Sequence, residues 1–231
     1  LSEDVEEALA RMDVCGGSAW SDLQGFLTSS VEVDYNGEKT TLSAIRNKAY
    51  DADATVRKEA YEAELKAYDK IKDSIAYSLN SIKMQDITES KMRGYASPLD
   101  KVLYRSRMER ATLEALLEAM KEYMPNFHSY LRAKAEALGN KNGLPWYDLF
   151  APMGSNTKKY TVEDSKAYLM KVFEKFNPHM AEIVERAYEE NWIDFFPRNG
   201  KVGGAFCASL DAKKQFRVLT NFDGSFSDVV T

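Results

Sequence analysis

The sequence predicts a mainly α-helical protein with two small β elements, and three observations support this fold class. Long stretches repeat apolar residues at intervals of three and four, which is the period of an amphipathic helix. Serine, threonine and asparagine stand where several of these stretches begin, as helix caps do. Strand-like alternation occurs in two places, a short hairpin near the N-terminal third and a small antiparallel element at the C-terminal end.

The first strand-like run covers residues 31–42, and its Asn36-Gly37 pair predicts a two-residue hairpin turn. One long helix over roughly 55–88 is then predicted by an apolar stripe, which we interpret as core-facing and which consists of Tyr61, Leu65, Tyr68, Ile71, Ile75, Leu79 and Ile82. A second helix should begin at Ser97, because proline occupies the next position and an acid stands in the first turn. A segment boundary therefore falls near residues 94–96.

Helices continue to dominate the second half of the chain. A long helix should end at Gly139 and kink at Pro125, with one side formed by Leu113, Leu116, Leu117, Met120, Met124, Phe127, Leu131 and Leu138. The apolar, proline-punctuated stretch 143–152 predicts an ordered loop. Thr161 and Asn177 should cap two further helices. The runs 203–210 and 216–222 then predict a hairpin.

Composition and charge exclude several classes of function. The 231 residues carry a net charge of -5 without a basic stripe, which argues against nucleic-acid binding. No run of 18 apolar residues and no basic leader is present, so neither a membrane span nor secretion is indicated. Cys15 and Cys207 lack metal-ligand spacing and are interpreted as two small buried thiols in a reducing compartment, which predicts a cytoplasmic location.

Residues that could carry chemistry are few in this sequence. His128 and His179 are its only histidines, and they lack the i, i+4 spacing of a zinc-binding helix, so each is interpreted as a surface or partly buried side chain with a local hydrogen bond. Cys207 is a poor candidate nucleophile, because no helix start precedes it and no histidine lies near it in sequence. The sequence therefore predicts no catalytic residue and no metal ligand in this chain.

The double glycine Gly203-Gly204, which opens a strand-like run, allows two interpretations. Glycine weakens a strand unless a bulge, a bend or a closely approaching backbone requires it. The second possibility is that an extended peptide pairs with the edge of this strand through main-chain hydrogen bonds. The residues alone favour a bulge or corner over a binding site.

Three segments of the sequence together resemble oligoendopeptidase F, a bacterial zinc oligopeptidase of the thimet oligopeptidase superfamily. They are Leu-Pro-Trp-Tyr-Asp-Leu-Phe-Ala-Pro at 144–152, Trp-Ile-Asp at 192–194 with Arg-Asn-Gly-Lys-Val-Gly-Gly-Ala-Phe-Cys at 198–207, and Thr-Asn-Phe-Asp-Gly-Ser-Phe-Ser-Asp-Val-Val-Thr at 220–231. The hairpin at 33–42 and the region 18–20 fit as well. The resemblance covers nearly the whole chain in order.

This resemblance implies part of a helical zinc-oligopeptidase fold, whose two halves enclose a channel for unfolded oligopeptides. It implies that residues 1–94 are like the pre-catalytic domain and that 95–231 form the N-terminal part of the catalytic domain. In that family Thr-Leu-Ala-His-Glu-Leu-Gly-His, with Thr231 as its threonine, supplies two zinc ligands and the glutamate that activates water, and a further glutamate ligand lies downstream. None of those ligands occurs here, so this piece is expected to bind no zinc and to be inactive by itself.

The resemblance also changes the interpretation of individual residues. Gly203, Gly204, Ala205 and Phe206 match the segment expected to line the cleft and pair with the substrate backbone, which reverses the preference for a bulge. Residues 220–222 match the strand that leads into the zinc-binding helix, whose cap is predicted at Ser227 with Asp228 after it. Tyr147 and Asp148 match a recurrent feature that we expect to serve structural hydrogen bonding. Val202 stands where relatives often have arginine.

Two function classes follow from these observations. The first is a zinc-dependent endopeptidase that cleaves short oligopeptides, with this chain as its scaffold and substrate-binding strand. The alternative is a non-catalytic helical peptide-binding or interaction module. Self-association of the piece is expected as well, because a surface that the remainder of a longer protein would cover should be exposed.

Overall fold

A computed structural model describes residues 1–154 and 158–230 of the chain, and these residues form two compact units. The first unit contains Leu1–Leu27 and Ile71–Leu149. The second contains Thr28–Lys70 and the described residues from Phe150 onward. The division into domains 1–94 and 95–231, which the resemblance to oligoendopeptidase F implies, stays a prediction. Thr231, where the resemblance begins the zinc-binding motif, lies outside the described residues.

The described secondary structure is mainly helical, as predicted. The helices are α1 (Glu3–Cys15), α2 (Gly17–Ser30), α3 (Leu42–Asn47), α4 (Ala54–Asp69), α5 (Lys72–Met92), α6 (Pro98–Arg105), α7 (Arg110–Ala137), α8 (Val162–Phe176), α9 (Pro178–Glu189) and α10 (Phe226–Val230). The strands are β1 (Glu32–Tyr35), β2 (Glu38–Thr41), β3 (Ile193–Asp194), β4 (Phe206–Leu210) and β5 (Gln215–Leu219). Within the described ranges, no helix is long and apolar enough to cross a lipid bilayer.

In the first unit, Gln85 of α5 fixes the junction between α1 and α2. Its side-chain oxygen accepts a hydrogen bond of 2.6 Å from the backbone N–H of Gly17, and its amide nitrogen donates to Asp13. A Cβ at Gly16 would clash with this amide and would lie 2.8 Å from the Met12 carbonyl oxygen. Glycine is therefore required at the junction for steric reasons.

Helix α7 leaves much of its predicted apolar side exposed. Exposed side chains include Leu116, Leu117, Met120, Met124 and Phe127. The helix continues through Pro125 and stops before Gly139, whose φ of +79° and hydrogen bond to the Glu136 carbonyl form the expected left-handed end. The exposed side of α7 is hereafter called the α7 face.

The second unit begins with the hairpin β1–β2, which packs against α3 and α4. Asn36 and Gly37 have φ values of +52° and +82°, as the predicted turn requires. The side chains that cluster beneath the hairpin are Val33, Leu42, Ile45, Ala60, Ala63 and Ala67, all buried. The prediction of this hairpin from sequence is therefore confirmed.

The predicted helix over 55–88 is wrong, because the chain breaks into α4 and α5 at Lys70 and Ile71. Ile71 has φ −124° and ψ −5°, outside the helical range, and its side chain is buried. The interpretation of the stripe as core-facing fails in part, since Leu65 and Leu79 are 46% and 51% exposed. Apart from Arg57 and Ile71, the buried positions are small residues, alanine in α4 and serine in α5. A stripe of large apolar residues could not reveal them.

The remainder of the second unit packs α8 and α9 beside a sheet of strand order β3-β5-β4. β4 and β5 form the predicted antiparallel hairpin, although β4 begins at Phe206 instead of residue 203. β3 pairs in parallel with β5 and was not predicted. Just before β3, the buried Trp192 side chain is flanked by the guanidinium groups of Arg186 and Arg217, which lie 5.1 and 5.3 Å from its ring.

Candidate peptide-binding site

Strand β4 is one of the two edge strands of the C-terminal sheet. All five of its residues are exposed, and in the described part of the chain its one strand neighbour is β5. An edge strand presents backbone N–H and C=O groups that another extended chain can pair with. Residues before and after the β4–β5 hairpin hold this exposed strand in position.

The turn that leads to β4 is stabilised by a buried lysine. The Lys201 side chain is 1% exposed, and its ammonium group donates to the backbone carbonyls of Asp194 and Phe196 at 3.0 and 2.8 Å and to the Asp194 carboxylate at 3.0 Å. Arg198 donates to the same carboxylate at 2.7 Å. The hydrogen bond from Arg198, together with that from Lys201, lowers the pKa of Asp194 to about 2.

Asn221, the second residue after β5, connects this turn to the segment that follows β5. Its side-chain amide donates to the carbonyl oxygens of Val202 and Gly204 at 3.0 and 2.9 Å. Its backbone carbonyl in turn accepts a hydrogen bond of 3.1 Å from the Asn47 side chain. The Gly203-Gly204 segment is thereby fixed against β5 before regular pairing starts at Phe206.

The two glycines differ in their structural requirements. Gly204 has φ +79°, a conformation in which a side chain is strained. Gly203 does not have a positive φ, and a Cβ there would lie 3.5 Å from the Ser43 hydroxyl, an ordinary contact distance. The backbone conformation therefore explains Gly204, whereas the described structure gives no steric reason for glycine at 203.

A cavity of about 240 Å³ adjoins these residues. Gly203, Gly204 and Ala205 form part of its wall, and residues of α3 and α10, Tyr50 and the segment around Asn221 form the rest. A larger cavity of about 780 Å³ shares Asn47, Tyr50 and Ser227 with it, and there the rings of Tyr50 and Phe150 lie 5.2 Å apart. Of the four residues predicted to bind substrate, three line the smaller cavity, and Phe206 is the first residue of β4.

The helix that follows β5 begins earlier than predicted. The predicted cap at Ser227 is wrong, since α10 starts at Phe226 and Ser225 is its cap. The Ser225 hydroxyl accepts a hydrogen bond from the Asp228 N–H at 3.1 Å, and the Asp228 carboxylate accepts one from the Ser225 N–H at 3.1 Å. This reciprocal capping box was readable in the sequence, because Ser225 has an acid three residues later and Ser227 does not. Val229 is buried and anchors the short helix.

The described residues do not fit a zinc site. His128 and His179 are both exposed, and His179 contacts Glu182 through its Nδ1 at 3.2 Å. The interpretation of the cysteines as buried is wrong, since both are exposed free thiols, Cys15 as the last residue of α1 and Cys207 in the edge strand β4. Among the described residues, no three His, Cys, Asp or Glu side chains converge as metal ligands.

Tyr147 and Asp148 lie in the loop after α7, in the first unit. Asp148 is buried and accepts a hydrogen bond of 2.9 Å from the Asn140 side chain, and the nearby Leu149 carbonyl accepts one of 2.8 Å from Lys134. These contacts are compatible with the expected structural role. The contacts of the Lys201 and Asn221 side chains were not predicted from the sequence, because their partners include backbone carbonyls that no local motif identifies.

The described residues form a mainly helical fold with an exposed edge strand, and comparison with known proteins identifies the family. The sequence profile of peptidase family M3 matches residues 48–231. The chain therefore belongs to peptidase family M3.

Known relatives are oligopeptidases of greater length. The chain is 25% identical to group B oligopeptidase PepB of Streptococcus agalactiae over 238 residues, covering 100% of this chain and 39% of that protein. It is 22% identical to oligopeptidase PepF of Bacillus subtilis over 238 residues, covering 100% and 35%. The chain thus spans well under half the length of these relatives.

Solved structures support the fold. PZ peptidase A with inhibitor 2 superimposes with a TM-score of 0.82 at 19% identity, covering 99% of this chain and 41% of the other. Oligoendopeptidase-F from Enterococcus faecium gives a TM-score of 0.59 at 21% identity, covering 82% and 41%. At this identity, the likeness establishes a shared fold.

Proposed function

We propose that this chain is the scaffold and substrate-binding portion of a zinc-dependent endopeptidase that cleaves short oligopeptides. Membership of the M3 family supports a peptidase. The observation that carries the finer proposal is the edge strand β4, exposed along its whole length and preceded by Gly203-Gly204. An extended peptide would lie along this edge, with Gly203, Gly204, Ala205 and Phe206 lining its path.

The zinc ligands and the catalytic glutamate would come from outside the described residues. The resemblance to oligoendopeptidase F puts the first histidine of the His-Glu-x-x-His motif three residues after Thr231, so the complete coding sequence is the first test. A His-Glu-x-x-His motif there would support the proposal. Its absence would refute the peptidase and favour the alternative, a non-catalytic peptide-binding module.

The binding role of the strand can be tested in the protein expressed from its complete coding sequence. Gly203→Leu adds a side chain where the described structure has room for a Cβ, so folding should be retained while the KM for a fluorogenic oligopeptide rises about tenfold or more, as expected when bound peptide is displaced. Ala212→Leu, on the exposed turn of the same hairpin, is the matched control and should leave KM unchanged. Equal KM values for both variants would contradict the proposal.

For the 231-residue chain by itself, we propose that it holds no stoichiometric zinc and cleaves no peptide. Elemental analysis showing one zinc per chain, or turnover of the fluorogenic peptide, would refute this. We also propose a cytoplasmic location, for which the two free thiols are the supporting observation. Recovery of the native protein in an extracytoplasmic fraction would contradict it.

Self-association of the 231-residue chain is a further part of the proposal. The α7 face supports it, because exposed apolar side chains in one stripe favour association in water. Size-exclusion chromatography should show a species larger than 26.2 kDa that reverts to the monomer in Leu117→Lys. A monomer at all concentrations would contradict this part without affecting the enzymatic proposal.

A further inference from the structure

Three asparagine residues of the chain are followed directly by glycine, and the structure gives them different surroundings. The pairs are Asn36-Gly37, Asn142-Gly143 and Asn199-Gly200, and all six residues are exposed. Asparagine before glycine is prone to spontaneous deamidation, because glycine has no side chain that keeps its backbone nitrogen away from the preceding side chain. The local structure therefore decides which of the three pairs can react.

Deamidation begins when the glycine backbone nitrogen attacks the side-chain carbonyl carbon, Cγ, of the asparagine. A bond forms between this nitrogen and Cγ, the bond from Cγ to the side-chain nitrogen breaks, and ammonia leaves with the proton of the glycine N–H. Water then opens the resulting succinimide ring at either carbonyl, which gives aspartate or isoaspartate. Water is the co-reactant, and no group is oxidised or reduced. The glycine N–H must therefore be free and able to rotate towards the asparagine side chain.

At Asn199 the glycine nitrogen is not free. The Gly200 N–H donates a hydrogen bond of 2.9 Å to the Ser29 carbonyl. The next residue, Lys201, donates its own N–H to the Arg198 carbonyl at 3.1 Å, and its side chain is buried. Because the attack would have to break the bond to Ser29 and distort this turn, Asn199 is protected.

At Asn36 strand pairing fixes the turn. Tyr35 and Glu38 pair across β1 and β2, and both Asn36 and Gly37 have the positive φ that this two-residue turn requires. In such a turn, the nitrogen of the second central residue points away from the side chain of the first. The hairpin end would have to open before Gly37 could attack, so Asn36 is protected by its conformation.

At Asn142 neither constraint is present. The pair lies between α7 and the loop that contains Asp148, outside any helix or strand. Within the part of the chain that the structure describes, neither Asn142 nor Gly143 makes a hydrogen bond. A Cβ added at Gly143 would meet no atom within 4 Å, so the segment has room to rotate.

From this comparison we infer that Asn142 is a deamidation site of the folded protein, whereas Asn36 and Asn199 are protected against the same reaction. The inference is independent of the proposed enzymatic function. The product carries one more negative charge than the parent chain, whose net charge is -5. Its isoaspartate form also lengthens the main chain by one methylene group, just before the loop in which Asp148 is buried.

Site-resolved deamidation of the protein expressed from its complete coding sequence, kept in mildly alkaline buffer, tests this inference. Peptide mapping by mass spectrometry would measure the replacement of the side-chain amino group by hydroxyl at each asparagine, in native and in urea-unfolded protein. Asn142 should react within about threefold of its unfolded rate, because no structure has to open there. Asn36 and Asn199 should react at least about tenfold more slowly than in urea, which is the upper range of what one hydrogen bond contributes. A ratio of native to unfolded rate at Asn36 or Asn199 that equals the ratio at Asn142 would overturn the inference.

Amide hydrogen exchange and a pair of variants test the cause of the protection at Asn199. In the native protein, the Gly200 amide should exchange slowly and the Gly143 amide rapidly. Lys201→Met removes the buried ammonium group beside the turn and should raise the deamidation rate at Asn199 by about threefold or more. Lys213→Met, on an exposed turn, is the matched control and should leave that rate unchanged. Rapid exchange at Gly200, slow exchange at Gly143 or equal rates at Asn199 in the two variants would overturn the assigned cause.

Discussion

The two hairpins of the second unit are stabilised in different ways. In β1–β2, the Val33 side chain is fully buried against α4, and the turn is the local Asn36-Gly37 pair. In β4–β5, every β4 residue is exposed, and the support comes from hydrogen bonds of Lys201 and Asn221 to backbone carbonyls. The first hairpin is thus part of a core. The second is positioned by its flanking residues, which leaves its outer edge available.

The largest effect that separates the two hairpins should come from Lys201→Met. The substitution leaves the Asp194 and Phe196 carbonyls without the donor that Lys201 provides, and leaving such acceptors unsatisfied destabilises by about 2–3 kcal/mol. Urea unfolding would measure the loss. Lys213→Met on the exposed turn is the control and should stay within about 0.5 kcal/mol of the parent. A loss below about 1 kcal/mol for Lys201→Met would mean that the ammonium group does not stabilise this turn.

Side-chain truncation should affect the first hairpin more than the second. Val33→Ala removes two buried methyl groups and should destabilise by about 2 kcal/mol. Leu210→Ala, in the partly exposed edge strand, removes more atoms but should have the smaller effect, about 1 kcal/mol or less. Unfolding midpoints would compare the pair. A larger loss for Leu210→Ala would show that β4 is packed against an apolar surface.

The turn of the first hairpin should show a smaller effect. Gly37→Ala places a side chain at φ +82° and should destabilise by about 1 kcal/mol, although no atom lies within 4 Å of the added Cβ. Gly25→Ala has equal space inside helix α2 and should stabilise by about 0.5–1 kcal/mol. Thermal denaturation of both variants would test whether backbone conformation alone accounts for the difference. Shifts of the same sign would contradict that account.

Lowering the pH should destabilise both hairpins, and this effect should be the smallest of those predicted here. Hydrogen bonds from Lys39 and Lys70 lower the pKa of Asp34 to about 2, and Asp194 has a similarly lowered pKa. A folded-state pKa below the unfolded value contributes stability above about pH 4 that is lost as pH falls towards 2. Asp194→Asn should therefore lose less stability than the parent between about pH 5 and pH 2.5. Urea midpoints with identical pH slopes would contradict the assignment.

Local signals in the sequence predicted much of the fold. The Asn36-Gly37 turn, the Ser97 cap and the Thr161 capping box each act within four residues, and each is present in the structure. The break at Ile71 was missed, because most of the buried positions on both sides of it are alanine and serine. β3 was missed because two residues that pair with a distant strand carry no periodic pattern.

The candidate site was only partly predictable for the same reason. The double glycine pointed to the approach to β4, but the approach is fixed by the Asn221 side chain, which donates to the Val202 and Gly204 carbonyls. The supporting contact from Asn47 to Asn221 joins residues 174 positions apart. Such contacts are set by tertiary structure and leave no mark at sequence spacings that a motif could identify.

Trp192, which two arginines flank just before β3, provides a fluorescence signal for the C-terminal sheet. Trp192 is 3% exposed, whereas Trp146 in the other unit is 68% exposed, and the chain has one further tryptophan, Trp20. Emission from Trp192 should lie at shorter wavelength than that from Trp146 and should resist quenching by acrylamide. In a variant that carries Trp20→Phe and Trp146→Phe, Trp192 is the remaining tryptophan. A red shift of its emission would report that the sheet separates beside β3. The integrity of the C-terminal sheet can therefore be followed without a label.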